Sequence, residues 1–451
     1  MSKKILIIGG GIAGMYLTER LSTSECDVTM LESSTKLGGR CTSFVDNTTN
    51  EIIDNGQHLL MGAYTHFLQF VDRIGASDKI GIFPKLMIQF YSTKGDSYQL
   101  TDDNNLLGGI GGKIGLLIAL FATNHFSLFE KFKFIKLMLK VMLLNPKKIS
   151  GTVATFLRDN NQSDKLIKEF WAPLVLAVMN TTPNIAPAKL LITVLKKSFL
   201  GSVQASKMMY SNTDYNSLFS NFQHLMTERK VNVKLNSRVN RILIQNGKAI
   251  GAELESGEIL RADYIISAVP YFALQNILTA DILTMPNFKN LIFYKNSPIL
   301  SAYLWYKDEI QTPPMFAMLD SSIQWVFNRR MMQKAEYTNP EYKSCFAITI
   351  SSSEENNALS KYELIENFAD ELSQALPQFQ NQIPVHYRII KEKRATFEAN
   401  TEIENYRVNQ FTDIENFYLC GDWTNTNLPA TIEGACLSAE IVYEAISNKE
   451  F

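Results

Sequence analysis

The sequence predicts an α/β protein built around a Rossmann-like dinucleotide-binding unit, and three observations carry that expectation. Residues 1–40 read as strand, glycine turn, helix, strand and acid; an almost wholly apolar strand recurs in DYIISAVP at residues 263–270; and the chain closes on a further strand, glycine-acid turn and helix. Near-continuous apolar strands alternating with helices are the pattern of a parallel sheet covered on both faces.

In the first unit, KKILIIGGGIAGMYLTERL gives a buried strand from Lys4 to Ile8 and a helix from about Ile12. Gly9, Gly11 and Gly14 form G-x-G-x-x-G between them. The first glycine permits the tight turn, the second lets backbone amides approach a pyrophosphate, and the third lets helix and strand pack closely. The amides of Ile12 and Ala13 open the helix, and its dipole favours phosphate there. The next strand, DVTMLE, ends at Glu32, placed to bind ribose hydroxyls. A dinucleotide site is the expectation.

KLGGRCTSF follows, with Gly38 and Gly39 before Arg40. A second close backbone approach and a guanidinium suit an extended flavin dinucleotide, so FAD is the expected cofactor. At this point the chain resembles the amine oxidase and phytoene desaturase superfamily of flavoproteins, in which the matching arginine lies beside the FAD pyrophosphate. Residues 237–270 then read as a β-meander, with turns at Asn246-Gly247 and Ser256-Gly257. By the resemblance, Val239 holds the adenine through its backbone. Near the end, a strand to Cys420 leads through Gly421 and Asp422 to a helix from about Thr431. Asp422 is placed for a ribityl hydroxyl, and the amides at Thr431 and Ile432 for the flavin pyrimidine edge.

The blocks DNGQHLLMGAY at residues 54–64, FWAPLVLAVMNTTP at 170–183, EKRATF at 392–397 and CGDWTNTNLPATIEGA at 420–435 narrow the likeness. Together they resemble the squalene-associated FAD-dependent desaturases of bacteria, whose characterised activity is hydroxysqualene dehydroxylation. Cys41 and Pro187 depart from that family's pattern, where alanine and serine are expected. The resemblance implies a GR2-type FAD domain from residues 1–80, 225–270 and 391–451. It also implies an inserted α+β substrate domain from residues 81–224 and 271–390. The implied reaction is reductive dehydroxylation of hydroxysqualene to squalene, with a carotenoid-type desaturase or isomerase as the alternative and a flavin amine oxidase as the remoter one.

Such a dehydroxylation needs a proton donor for the leaving hydroxyl. By the family match Gly56 permits close approach to flavin, and Gln57 or His58 faces flavin or substrate. His58 is the first choice of acid from its ordinary pKa; the competing reading is that it only orders the turn. Asp54 is the weaker choice, because Asp-x-Gly turns spend the carboxylate on backbone amides. Tyr64 and His66 fall in or near a helix ending at Gly75. Trp171 and Asn180 either line a tunnel or pack, and EKRATF brings Arg394 or Phe397 near the flavin.

The composition sets outer bounds. A chain of 451 residues is long enough for two cores. Its 46% hydrophobic and 20% charged residues are those of a globular protein, and the net charge of −1 provides no field for nucleic acid. Cys26, Cys41, Cys345, Cys420 and Cys436 form neither a disulfide framework nor a metal motif. No export signal is read before the first glycines, so the cytoplasm or the inner face of its membrane is the expected location. Residues 106–144 are the greasiest stretch, with Lys131, Lys133, Lys136 and Lys140 interleaved among apolar residues. Two readings stand for it, peripheral contact with an anionic membrane or a buried helix pair with solvated lysines. No second G-x-G-x-x-G unit accompanies the first, so the electron donor, NAD(P)H or a reductase, is left open.

Overall fold

The computed structural model describes residues 2–85, 87–101, 111–334, 338–354 and 359–450. At its centre is a five-stranded parallel sheet. The strand Lys4–Ile8 pairs on one side with Asp27–Leu31 and on the other with Tyr264–Ser267; Asn232–Lys234 and Phe417–Leu419 form the edges. Both faces are covered, which explains the unbroken apolar strands. Ile5 and Ile7 point to a core shared with the helices Ile12–Leu21 and Ile432–Glu450, whereas Leu6 and Ile8 point to the opposite core. That second face is roofed by the meander Val239–Gln245, Lys248–Leu254 and Ile259–Arg261. Its first turn has Asn246 at φ 53° and Gly247 at φ 74°, the two positive values a type I′ hairpin requires.

A second, seven-stranded sheet runs in the order His386–Phe397, Asn296–Tyr306, Ser344–Ser351, Trp325–Asn328, Met315–Leu319, Met87–Ser92 and Ser97–Thr101. All neighbours are antiparallel except Met315–Leu319 beside Met87–Ser92. The helix Lys361–Ala375, started by a Ser360–Glu363 capping box, packs on one face. A helical layer including Leu128–Leu143, Ala172–Met179 and Ala188–Val194 packs its buried residues into the large core that also holds Leu6 and Ile8.

Three sequence expectations need adjustment. The boundary drawn at residue 391 cuts the strand His386–Phe397, and the one after residue 80 cuts Ile80–Ile82. The strand His386–Phe397 carries no glycine or proline that would have marked its ends, and Gly81 lies inside Ile80–Ile82 instead of breaking it. Within residues 106–144, positions 106–110 lie outside the described residues, and the rest forms the helices Gly111–Ala122 and Leu128–Leu143. Lys131 is not solvated: it is buried and donates to the Phe121 carbonyl at 2.8 Å. Its partner is the backbone end of the preceding helix, which a 3.6-residue periodicity does not reveal.

Candidate active site

Two glycine-rich turns face each other beside the central strands. Gly9 has φ 109° and donates to the Leu31 carbonyl at 2.7 Å. A Cβ on Gly14 would lie 1.9 Å from the Gly9 carbonyl oxygen, so helix and turn touch there as a third fingerprint glycine demands. Across the groove, Gly38 donates to Gly10 at 2.9 Å, and a Cβ on Gly39 would come within 3.2 Å of the Gly11 Cα. Gly10, which the motif leaves as an arbitrary residue, is also crowded, since its Cβ would meet the Leu37 side chain at 2.5 Å, though that flexible side chain can yield where backbone cannot. The helix Ile12–Leu21 has no side-chain cap at Gly11, leaving its first amides for a ligand.

Glu32 accepts from the Gly10 amide through Oε2 and from the Ser34 amide through Oε1, both at 2.7 Å. It therefore fixes the turn that it borders. Arg40 reaches from the second turn and donates to the Ala395 carbonyl at 2.6 Å and to Asp422 Oδ1 at 2.5 Å, while 41% of its side chain stays exposed to the groove. The turn at Asp422 is held from several sides. The Gly421 amide donates to Ser438 Oγ at 2.7 Å, and Trp423 Nε1 donates to the Val269 carbonyl at 3.0 Å. Thr431 Oγ1 accepts from the Gly434 amide at 3.0 Å and caps the last helix, which begins at Ile432. Val239 is buried at the start of the meander. A cleft beside Arg40 and Asp422 is lined by Tyr271, Arg394, Phe397 and Trp423, which places both residues singled out in EKRATF at the same opening.

One residue that shapes this region has no motif. Arg407 is buried and donates to the carbonyls of Asp422 at 3.0 Å, Thr424 at 2.5 Å and Leu428 at 2.7 Å, and to Glu404 at 3.1 Å. A buried cation that satisfies three carbonyls fixes the path of the 422–428 loop. Glu433 does similar work at the other side of the last helix. It accepts from the amides of His66 at 3.2 Å and Phe67 at 3.0 Å at the start of the helix Thr65–Arg73, and pairs with His66 Nδ1 at 2.7 Å. That carboxylate raises the His66 pKa. Tyr64 lies just before this helix, and Gly75 just after it at φ 67°.

The polar stretch at residues 54–58 forms a separate cluster. Asp54 ends the strand Ile52–Asp54 and is buried; its Oδ1 accepts from Ser43 Oγ at 2.6 Å and from the Tyr215 amide at 3.2 Å. Burial pushes its pKa up to about 6, against the pull of Ser43 and Arg329. Gly56 lies against Ser301, whose Oγ would be 3.1 Å from a Cβ, and Gln57 beside it is partly buried. His58 meets Tyr215 edge-on with ring centroids 5.3 Å apart. Its Nδ1 and the Tyr215 hydroxyl are both buried without a hydrogen-bond partner among the described residues. Burial, with a smaller push from the Arg40 charge, lowers the His58 pKa to about 4, against the pull of the Gly56 backbone. A pKa that low favours a neutral imidazole near neutrality, which suits His58 better to accepting or orienting than to donating a proton. Tyr215, invisible as a site residue in the sequence, belongs to the same cluster.

Trp171 is fully buried and donates to Gln162 at 3.2 Å, so it packs. Asn180 ends the helix Ala172–Met179 in the left-handed region and bonds Ser297, Thr396 and Ser352. It clips that helix to the large sheet. Cys41 is buried, and burial pushes its thiol up to about 12, so it is not a nucleophile.

A groove floored by Gly11 and Gly39, with an arginine opening onto it and free helix amides at its end, fits a dinucleotide. The model of the family described as "Flavin containing amine oxidoreductase" matches residues 12–446. The chain belongs to this family. FAD is accordingly its cofactor, and it is an oxidoreductase.

Relatives within and around the family agree. The chain is 24% identical over 440 residues to a hydroxysqualene dehydroxylase of Zymomonas mobilis, covering 96% of each chain. It is 26% identical to one of Rhodopseudomonas palustris, covering 97% of each. A 15-cis-phytoene desaturase of Solanum lycopersicum is 24% identical, over 98% of this chain and 77% of that one. Among solved structures, an oxidoreductase from Methanosarcina mazei superposes with TM-score 0.75 at 16% identity, over 98% of this chain and 100% of the other. A redesigned putrescine oxidase gives 0.76 at 12%, over 100% and 99%. At such identities the structures attest the fold alone: an FAD-binding Rossmann-like domain with an inserted α+β domain.

Proposed function

We propose that this flavoprotein reductively dehydroxylates hydroxysqualene to squalene. The observation that carries the reading is the buried Asp54–His58–Tyr215 cluster, a set of groups able to hold and direct a proton. Loss of an allylic hydroxyl as water consumes one proton and one hydride, so such groups are required, whereas withdrawal of hydride from a polyene needs no acid. FAD supplies the hydride chemistry when bound in its reduced form. Gly11, Gly39, Arg40, Asp422 and the amides at Ile12 and Ile432 hold it, with Val239 and Glu32 on the adenosine side.

Asp54 takes the part of proton donor, because its raised pKa keeps a protonated fraction near neutrality. His58, neutral and with Nδ1 unspent, orients the hydroxyl, and Tyr215 offers a second hydrogen bond. Residues 1–80, 225–270 and 391–451 make up the cofactor side of this proposal, with the strands Ile80–Ile82 and His386–Phe397 running across its borders, and the remainder forms the apolar site for the isoprenoid. NAD(P)H or a reductase partner reduces the flavin.

The second reading, favoured by the phytoene desaturase relatives at comparable identity, is desaturation by oxidised flavin. Anaerobic incubation separates the two. Conversion of hydroxysqualene to squalene by chemically reduced protein supports dehydroxylation; bleaching of the oxidised protein by phytoene, with hydroxysqualene left intact, overturns it.

A further inference from the structure

We propose that the outer face of the helix Leu128–Leu143 docks on an anionic phospholipid bilayer. The helix is apolar on two sides. Phe134, Leu137, Met138 and Val141 point inward and join the main core. Leu128, Phe129, Phe132, Leu139, Met142 and Leu143 point outward, each at least 51% exposed. Phe121, at 43% exposure on the preceding helix, meets Phe132 edge-on at 6.2 Å and widens the patch. Single exposed apolar residues are ordinary, but this many large ones on 16 residues make a contiguous surface that water does not favour.

The charge around the patch selects the occupant. At 100° per residue, Leu128, Phe132, Leu139, Met142 and Leu143 fall on one stripe, and Lys133, Lys136 and Lys140 run along its flank. Residues 128–148 contain six lysines and one acid, Glu130, in a chain whose net charge is −1. Glu130 is engaged by Ser127 at 2.8 Å and Ser163 at 2.5 Å. A second copy docking antiparallel by the same patch would bring lysine rows together along one edge of the contact. A bilayer with anionic headgroups supplies an apolar interior beside negative charge, and lysine stems reach from one to the other. The helix would lie along the interface: among the described residues no helix is long and apolar enough to cross a membrane. Lys131, turned inward, takes no part. The inference does not depend on which isoprenoid is turned over.

Sedimentation of the FAD-loaded full chain with vesicles tests it. Binding is expected to vesicles of mixed phosphatidylglycerol and phosphatidylcholine, and to be far weaker to phosphatidylcholine alone. Replacing Lys133, Lys136 and Lys140 by glutamine should cut partitioning roughly a hundredfold, at about fivefold per lysine, and added salt should mimic the change. A triple variant with Phe129→Ser, Phe132→Ser and Leu143→Ser should lose binding at every salt concentration, with the flavin spectrum and melting temperature unchanged because these side chains are exposed. Equal sedimentation of wild type and both variants would overturn the proposal. So would a concentration-dependent dimer, seen in sedimentation velocity and abolished by the Phe129, Phe132 and Leu143 changes, which would assign the face to a second copy.

Discussion

The cofactor groove and the Asp54–His58 cluster are built in opposite ways. In the groove almost every polar group that shapes the walls is already spent: Glu32 on two amides, Arg40 on Ala395 and Asp422, Arg407 on three carbonyls. The ligand is left mainly with backbone at Gly11 and Gly39 and with the exposed part of Arg40. In the cluster, by contrast, two buried polar atoms on His58 and Tyr215 have no hydrogen-bond partner among the described residues, and two groups have proton affinities moved by burial. A rigid, satisfied frame suits a cofactor that stays; unspent groups suit a molecule that arrives and leaves.

The contrast can be broken at either end. The largest effect should come from Gly14→Val, whose Cβ would collide with the Gly9 carbonyl; purified protein should lack the flavin absorption bands altogether. Next, Asp54→Asn should leave flavin content intact and slow dehydroxylation about a hundredfold or more, the range for loss of a general acid. Wild-type turnover should also fall as pH rises through about 6, while the residual activity of the variant stays flat. A flat wild-type profile would remove Asp54 from the chemistry.

Arg40→Leu removes charged hydrogen bonds at the groove, each worth about 1.5–3 kcal/mol. Because Arg40 is open to solvent the lower end applies, and flavin titration should show roughly tenfold weaker binding. The smallest effect concerns stability. The His58 pKa is depressed in the fold, so its contribution is full above about 6.5 and is lost as pH falls through about 4. His58→Gln should therefore lose less stability than wild type over that acid range, by about 1–3 kcal/mol, measurable by denaturant titration at successive pH values. Parallel curves would mean that the imidazole is solvated.

What could be read beforehand follows the same division. Gly9, Gly11, Gly14, Gly39 and Arg40 were legible because their roles are set by local backbone geometry, which sequence spacing encodes directly. The strand Tyr264–Ser267 was legible from its unbroken apolar run. Tyr215 was not, because it acts through a partner remote in sequence, reaching Asp54 across 161 positions; Arg407 was not, because its carbonyl partners at Asp422, Thr424 and Leu428 lie on an irregular loop that has no periodicity to read. The His58 imidazole was visible as a residue but not as a neutral group, since the burial that shifts it is a tertiary property. Lys131 was misread for the same reason.

The placement of the last helix has a consequence for how the protein is made. Ile432–Glu450 packs against Ile12–Leu21, with Glu440 bonded to Tyr16 and Arg20, and Glu433 tied to the start of Thr65–Arg73. The edge strand Phe417–Leu419 completes the central sheet from the same end of the chain. At about 5–20 residues per second, the ribosome delivers these pieces roughly 20–80 seconds after the first strand and helix have emerged. Through that interval the apolar face of Lys4–Ile8 lacks its cover, so the nascent chain must be kept from aggregating. Flavin loading is thus a late event of biosynthesis, possible only once the chain's two ends have met.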